Sequence, residues 1–219
     1  MTERRVQLYE AAAELFTRHG FRKTSIEDIT RSAGVSKGAF YLEFRDKKEL
    51  FEALVRREIR RYLAQAAEQI IADPEGGRLS RIYHHCIEVF LRCEFLCALY
   101  TQQERVLAGL LSEHGPQRYR PRVLLGAEFV GRLQRAGLIR HDTAPETLSH
   151  TLSLLMVGPL LAEPVLHTDD SPTLAETFAV LSSIITTAFE VPGSDTAEGK
   201  RAFATLAREM TALLDEDDH

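Results

Sequence analysis

The chain has no tryptophan, only three cysteines and three methionines, and no uninterrupted apolar run as long as a membrane span among its 219 residues. Three cysteines are too few, and odd in number, for a disulfide framework, so free thiols in a reducing compartment are expected. The most apolar stretch, LSLLMVGPLL, is interrupted by Pro159 and closed by Glu163, far short of the roughly 20 residues that span a bilayer. The opening MTERRVQLYE is charged from its third residue and has no apolar core of a secretory signal, so a cytoplasmic location is expected. Internal repeats, low-complexity tracts and alternating β-branched runs are missing as well. So are the H-E-x-x-H pair, the phosphate loop, the nucleophile elbow and the dinucleotide fingerprint. The chain is therefore expected not to be an enzyme, with no cofactor and no metal ligands assigned.

What is present is helical pattern and an uneven charge. The net charge is −5, yet residues 1 to 62 hold 14 Lys or Arg against 10 Asp or Glu, and the rest hold 13 against 22. A basic N-terminal part on an acidic remainder suits a protein of which one part meets a polyanion. Apolar residues recur at spacings of three and four almost throughout, which predicts an all-α fold of about nine or ten helices. A first helix is expected from Glu3 to His19, ended by Gly20 in the left-handed position, with Phe21 packing back. Thr24 with Glu27 reads as the capping box of a second helix ending near Gly34; Ser36 opens a third. Asp46 with Glu49 caps a fourth that runs to Ala72 and breaks at DPEGG, the best candidate for a flexible joint. Further helices are expected over 79–99, 102–113, 117–136, 145–162, 173–190 and 196–214, with Thr143/Glu146 and Ser171-Pro172 as starts. The domain division expected is 1–50 and 51–219, with helix 46–72 linking them.

TSIEDITRSAGVSKGAFYLEF, residues 24–44, joins two short helices through a turn containing Gly34, the arrangement of a helix-turn-helix. Ile26, Ile29, Ala33, Val35, Phe40 and Phe44 supply an apolar seam, which leaves Ser36, Lys37, Ala39 and Tyr41 on the other side. Gly38 and Ala39 are small enough to let the backbone approach base edges, and the start of the helix attracts phosphate. By spacing alone, a structural helical hairpin and a DNA-binding one remain alternatives.

With LYEAAAELFTRHGF before it and RDKKELFEALV after it, this stretch resembles the DNA-binding domain of the TetR family of bacterial transcriptional regulators, over about residues 5–56. The resemblance implies an N-terminal three-helix DNA-binding domain and a larger helical ligand-binding and dimerisation domain. It also implies a homodimer on a palindromic double-stranded DNA operator, most often a repressor released by a small-molecule inducer. Position by position, Lys37, Gly38 and Ala39 fall where recognition-helix residues meet bases, with Ser36 at the helix start. Tyr41, Lys47 and Ser25 fall where side chains meet backbone phosphate. Losing Lys47 would then flatten the salt dependence of binding by about one phosphate. Leu42 and Glu43 depart from the family pattern. Glu43 either turns away from DNA, toward Arg45 or Lys47, or accepts from a cytosine amino group; the first is favoured.

In the acidic half, RIYHHCIEVFLRCEFLCALY is the chemically distinctive segment. At roughly 100° per residue on one helix, Cys86, Cys93 and Cys97 fall near one line with Tyr83 and Phe90. Core cysteines are the plainer reading, and a thiol or soft-metal sensor the sharper one. His84 and His85 point to other sides. A ligand pocket is expected among Tyr83, Cys86, Phe90, Cys93, Cys97, Tyr119 and Phe129. The resemblance implies a dimer interface on the last long helices, through Leu148, Leu152, Leu155, Met156, Leu174, Phe178, Leu181 and Ile185. The rival to an inducer-released regulator is a DNA-bound protein that recruits a protein partner.

Overall fold

Glycines and capping side chains divide the N-terminal sequence into four helices in the computed structural model, which describes residues 2–101 and 126–216. α1 is Glu3–Lys23, and Gly20 inside it has φ 74° and ψ 163°, so the regular helix ends where the sequence expects. Phe21 folds back on Phe16 with ring centroids 5.6 Å apart. α2 is Ile26–Ser32, α3 is Lys37–Tyr41 and α4 is Lys47–Ala72. They are followed by α5 (Leu79–Arg92), α6 (Glu94–Thr101), α7 (Ala127–Arg135), α8 (Pro145–Leu166), α9 (Leu174–Phe189) and α10 (Thr196–Glu216). No strand occurs among the described residues, where the sole extended pairing is a bridge between Ile139 and Glu190. Nor is any described helix long and apolar enough to cross a membrane. The helix expected over 102–113, residues 117–125 of the one over 117–136, and Tyr119 lie outside the described residues.

Two compact units share α4. Unit 1 comprises Met1–Arg60 and Cys93–Arg120; unit 2 comprises Arg61–Arg92 and Pro121–His219. In unit 1 a run of aromatic rings fixes the packing, with centroid distances of 5.5 Å for Tyr9–Phe44, 5.9 Å for Phe40–Phe44, 5.4 Å for Phe16–Phe51 and 6.1 Å for Phe51–Phe95. Leu8, Ile29, Phe40, Leu50 and Leu54 have no exposed surface. In unit 2, α5 packs on α9, α7 on α8 and α10 on α7. Tyr83–Phe178 and Phe129–Phe203 are ring contacts of these pairs, at 6.4 and 6.3 Å. Glu190, buried after α9, accepts from the Ser80 amide at 2.7 Å and so caps the start of α5.

Several local expectations are corrected. The box that opens α2 is Ser25 with Asp28, each bonding the other's backbone amide, and Thr24 is buried. Its hydroxyl is spent on the Gly20 carbonyl at 2.9 Å, which closes the end of α1. α8 starts at Pro145 with Ala144 as its cap and no side-chain bond, and α9 is capped by Thr173 with Glu176, not by Ser171. The joint at DPEGG is packed. A Cβ on Gly77 would lie 1.7 Å from the Thr196 carbonyl oxygen, and one on Gly76 2.0 Å from that of Ile70. Those glycines allow the backbone to meet the start of α10, where Thr196 and Lys200 donate to the Pro74 and Ile71 carbonyls. The single helix expected over 79–99 is broken at Cys93, whose carbonyl accepts from the Cys97 amide at 2.9 Å. The three cysteines therefore share no continuous helical line.

Candidate nucleic-acid interface

The helix-turn-helix is built from two side-chain caps and one left-handed glycine. Gly34, at φ 67°, follows the last turn of α2, and the next amide, Val35, bonds back to the Thr30 carbonyl at 3.0 Å. Ser36 then caps α3 by accepting from the Ala39 amide at 3.1 Å. The angle so set leaves Phe40 wholly buried and Phe44 at 1% exposure, while Tyr41 is 55% exposed and Leu42 79%. The division of the aromatics follows the apolar seam.

Lys37 and Gly38 are exposed and Ala39 half-buried on the outer side. Lys37 lies 3.5 Å from Glu27, a loose exposed pair that a stronger anion can replace at little cost. Gly38 is informative because the fold does not require it. A Cβ there would meet only the Ser36 hydroxyl at 3.9 Å, in a backbone conformation any residue adopts. The missing side chain leaves room only on the outside.

The proposed phosphate contacts are more committed. Ser25 donates to Asp28 at 2.6 Å, so its proton is spent inside the capping box. Lys47 donates to the Phe21 and Thr24 carbonyls at 2.7 and 2.6 Å, and its ammonium lies 4.3 Å from the Phe21 ring centroid. Two of its three protons thus hold the α1–α2 turn, and burial lowers its pKa. Glu43 turns away from the outer face, as favoured, but toward different partners. It accepts from the Thr2 hydroxyl at 2.9 Å and lies 3.6 Å from Arg4, while Arg45 pairs with Asp46. No sequence pattern linked residue 43 to the start of α1; the tie forms only when α1 lies beside α3. Arg5, also missed, stacks its guanidinium 4.6 Å from the Phe44 ring centroid.

In unit 2, Tyr83, Cys86, Phe90 and Phe129 are all buried. Burial pushes the Cys86 thiol up to about 12, against a hydrogen bond with Tyr62 that lowers it. In unit 1 burial and the neighbouring Cys93 and Glu94 push Cys97 up to about 11. Thiols so shifted are poor thiolate sensors. Leu148, Leu152, Met156, Phe178 and Ile185 are buried within the chain itself, and Leu155, Leu174 and Leu181 are half-buried. The apolar side chains left exposed on α8 and α9 are others: Leu154, Leu161, Val165, Leu166, Val180 and Ile184.

Residues 8–54 match the family model described as bacterial regulatory proteins, tetR family. The HTH-type transcriptional regulator TtgR of Pseudomonas putida is 30% identical over 127 residues, which cover 47% of this chain and 58% of that regulator. Among solved structures, the fatty acid degradation regulator FadR of Bacillus halodurans superposes with a TM-score of 0.65 at 16% identity, covering 84% of this chain and 95% of the other. The SmeT–triclosan complex, SmeT being the repressor of a Stenotrophomonas maltophilia efflux pump, gives 0.63 at 18% identity, covering 88% and 94%. Both superpositions are likenesses of fold.

Proposed function

Since the chain belongs to the TetR family of bacterial transcriptional regulators, we propose that it represses transcription by placing α3 of each subunit of a homodimer in successive major grooves of a palindromic operator. The observation that carries this reading is the outer face of α3. Lys37, Gly38 and Tyr41 are exposed there, and Gly38 lacks a side chain that the fold has space for. Lys37 would read base edges, Gly38 and Ala39 would admit the backbone, and Tyr41 and Ser36 would offer hydroxyls to phosphate. Lys47 would serve mainly by holding the α1–α2 turn, with one proton left for phosphate.

The dimer would form through the exposed apolar stripe on α8. Leu154, Gly158, Leu161 and Val165 recur at four, seven and eleven residues, on one side of the helix. Val180 and Ile184 extend the apolar surface of α9. Two-fold symmetry of this kind is what a palindromic site requires.

A small molecule bound in unit 2 would release the operator. The buried Tyr83 hydroxyl supports this, since it has no hydrogen-bond partner among the described residues and burial raises its pKa. A buried polar group without a partner is uncommon and suits a ligand's polar end. Operator selection from a random duplex library at two salt concentrations tests the proposal. A palindromic consensus bound more tightly than bulk DNA in both is expected, and loss of all sequence preference in both overturns it.

A further inference from the structure

Asp73, just after α4, makes an unusual second layer for a histidine on α5. Its Oδ2 accepts from His85 Nε2 at 2.8 Å and from Arg81 Nε at 2.6 Å, and its Oδ1 from the Glu75 amide at 2.9 Å. In the neutral ring, with Nε2–H donated to a carboxylate, the other nitrogen of His85 carries the lone pair that a metal would take. That Nδ1 is buried without a hydrogen-bond partner among the described residues, on a side chain 11% exposed, and it faces Glu88 Oε2 at 4.0 Å. In that form Nδ1 and Glu88 Oε2 are two acceptors with no donor between them among the described residues.

A third acceptor completes the group. His84, Glu88 and His85 each offer a ligand atom, all within 4.8 Å of one another. On one helix Glu88 lies a turn beyond both imidazoles, four residues from His84 and three from His85. Arg92 holds Glu88 through its other oxygen, Oε1, and leaves Oε2 toward His85.

We propose that His84, His85 Nδ1 and Glu88 form a site for a divalent transition-metal ion of the zinc or nickel class, with Asp73 as the carboxylate that orients His85. Two imidazoles and one carboxylate suit such ions and not Mg²⁺ or Ca²⁺, which take oxygen ligands. Metal–nitrogen distances of about 2.0–2.1 Å require the three atoms to draw together. The half-exposed His84 and Glu88 can rotate to do so, while His85 is held by Asp73. At least one coordination position remains for water or an added ligand. The three ligands lie on one helix, and Asp73 alone comes from outside it. The site stands whether or not α3 binds DNA.

Zn²⁺ titrated into the tag-free, metal-stripped full chain against a chromophoric chelator tests the site. One equivalent per chain is expected, together with a rise in thermal midpoint that equimolar Mg²⁺ does not produce. His84→Ala and Glu88→Gln, both at half-exposed positions, should each weaken binding at least about tenfold, with far-UV circular dichroism unchanged, and Asp73→Asn by about 10–100-fold. His167→Ala should bind as the parent does, although His167 sits 2.8 Å from Glu163 in an isolated pair. No stoichiometric binding overturns the proposal, as does binding that survives both His84→Ala and Glu88→Gln.

Discussion

Lys47 and Lys37 are both lysines in the DNA-binding half, but their surroundings give them different work. Lys47 donates to two backbone carbonyls, so Lys47→Ala is expected to destabilise the chain by about 1–3 kcal/mol as well as weaken DNA binding. Urea melts of the variant check this, and an unchanged midpoint would return Lys47 to a purely phosphate-gripping role. Lys37 makes only an exposed contact with Glu27. Lys37→Ala should leave stability within about 0.5 kcal/mol while changing base preference by about 1–3 kcal/mol at one position. Selection with the variant that returned the parent's consensus would remove Lys37 from base readout. Phe40, wholly buried among Tyr41 and Phe44, should cost about 3–5 kcal/mol on change to Ala, measured by the same melts.

At the scale of elements, helix existence was legible, and so were some starts, with Ser36 capping α3 and Asp46 accepting from the Glu49 amide at the start of α4, while other starts were not. Gly20 adopts the positive φ that the pattern assigned to it, and Gly34, read as part of the turn, adopts one too, because only a residue without Cβ takes it cheaply. Two caps, those of α2 and α9, slipped by one or two residues where two hydroxyl residues stood close together. Thr24 and Ser25 are chemically equal candidates, and the choice was made by the Gly20 carbonyl, which claims Thr24. The Ser25–Asp28 box carries a pH dependence. Its hydrogen bonds, first that of the Ser25 side chain, lower the Asp28 pKa. A carboxyl lowered on folding adds stability above its unfolded pKa and loses it as pH falls through the folded value. Asp28→Asn should therefore melt below the parent at pH 7, with the gap closing below about pH 4. A gap that is constant down to pH 3 would assign the effect to helix geometry alone.

For the whole molecule, the charge split and the exposed apolar stripe point to different partners of the two parts. The basic part carries the helix-turn-helix, and unit 2 carries exposed Leu154, Leu161 and Val165 on α8 with Val180 and Ile184 on α9. A stripe of this kind is where the proposed homodimer would form. Replacing Val165 and Ile184 together with Asp is expected to shift the chain from dimer to monomer by light scattering and to weaken operator binding at least about tenfold. A parent that is monomeric at micromolar concentration would sink the dimer.

The sequence by itself determined the helical class, the helix-turn-helix and the split of its aromatics, because each rests on local spacing: period, left-handed glycine and cap lie within a few residues of one another. Tertiary structure alone decided four other matters. It turned Glu43 to Thr2 and Arg4, gave Lys47 to the α1–α2 turn, and put Leu148, Leu152, Met156, Phe178 and Ile185 in the chain's own core. It also brought Asp73 to His85 across the packed glycine turn. These pairings depend on which face a helix buries and which carbonyl is left unpaired, and residues far apart in the chain settle both only when they meet.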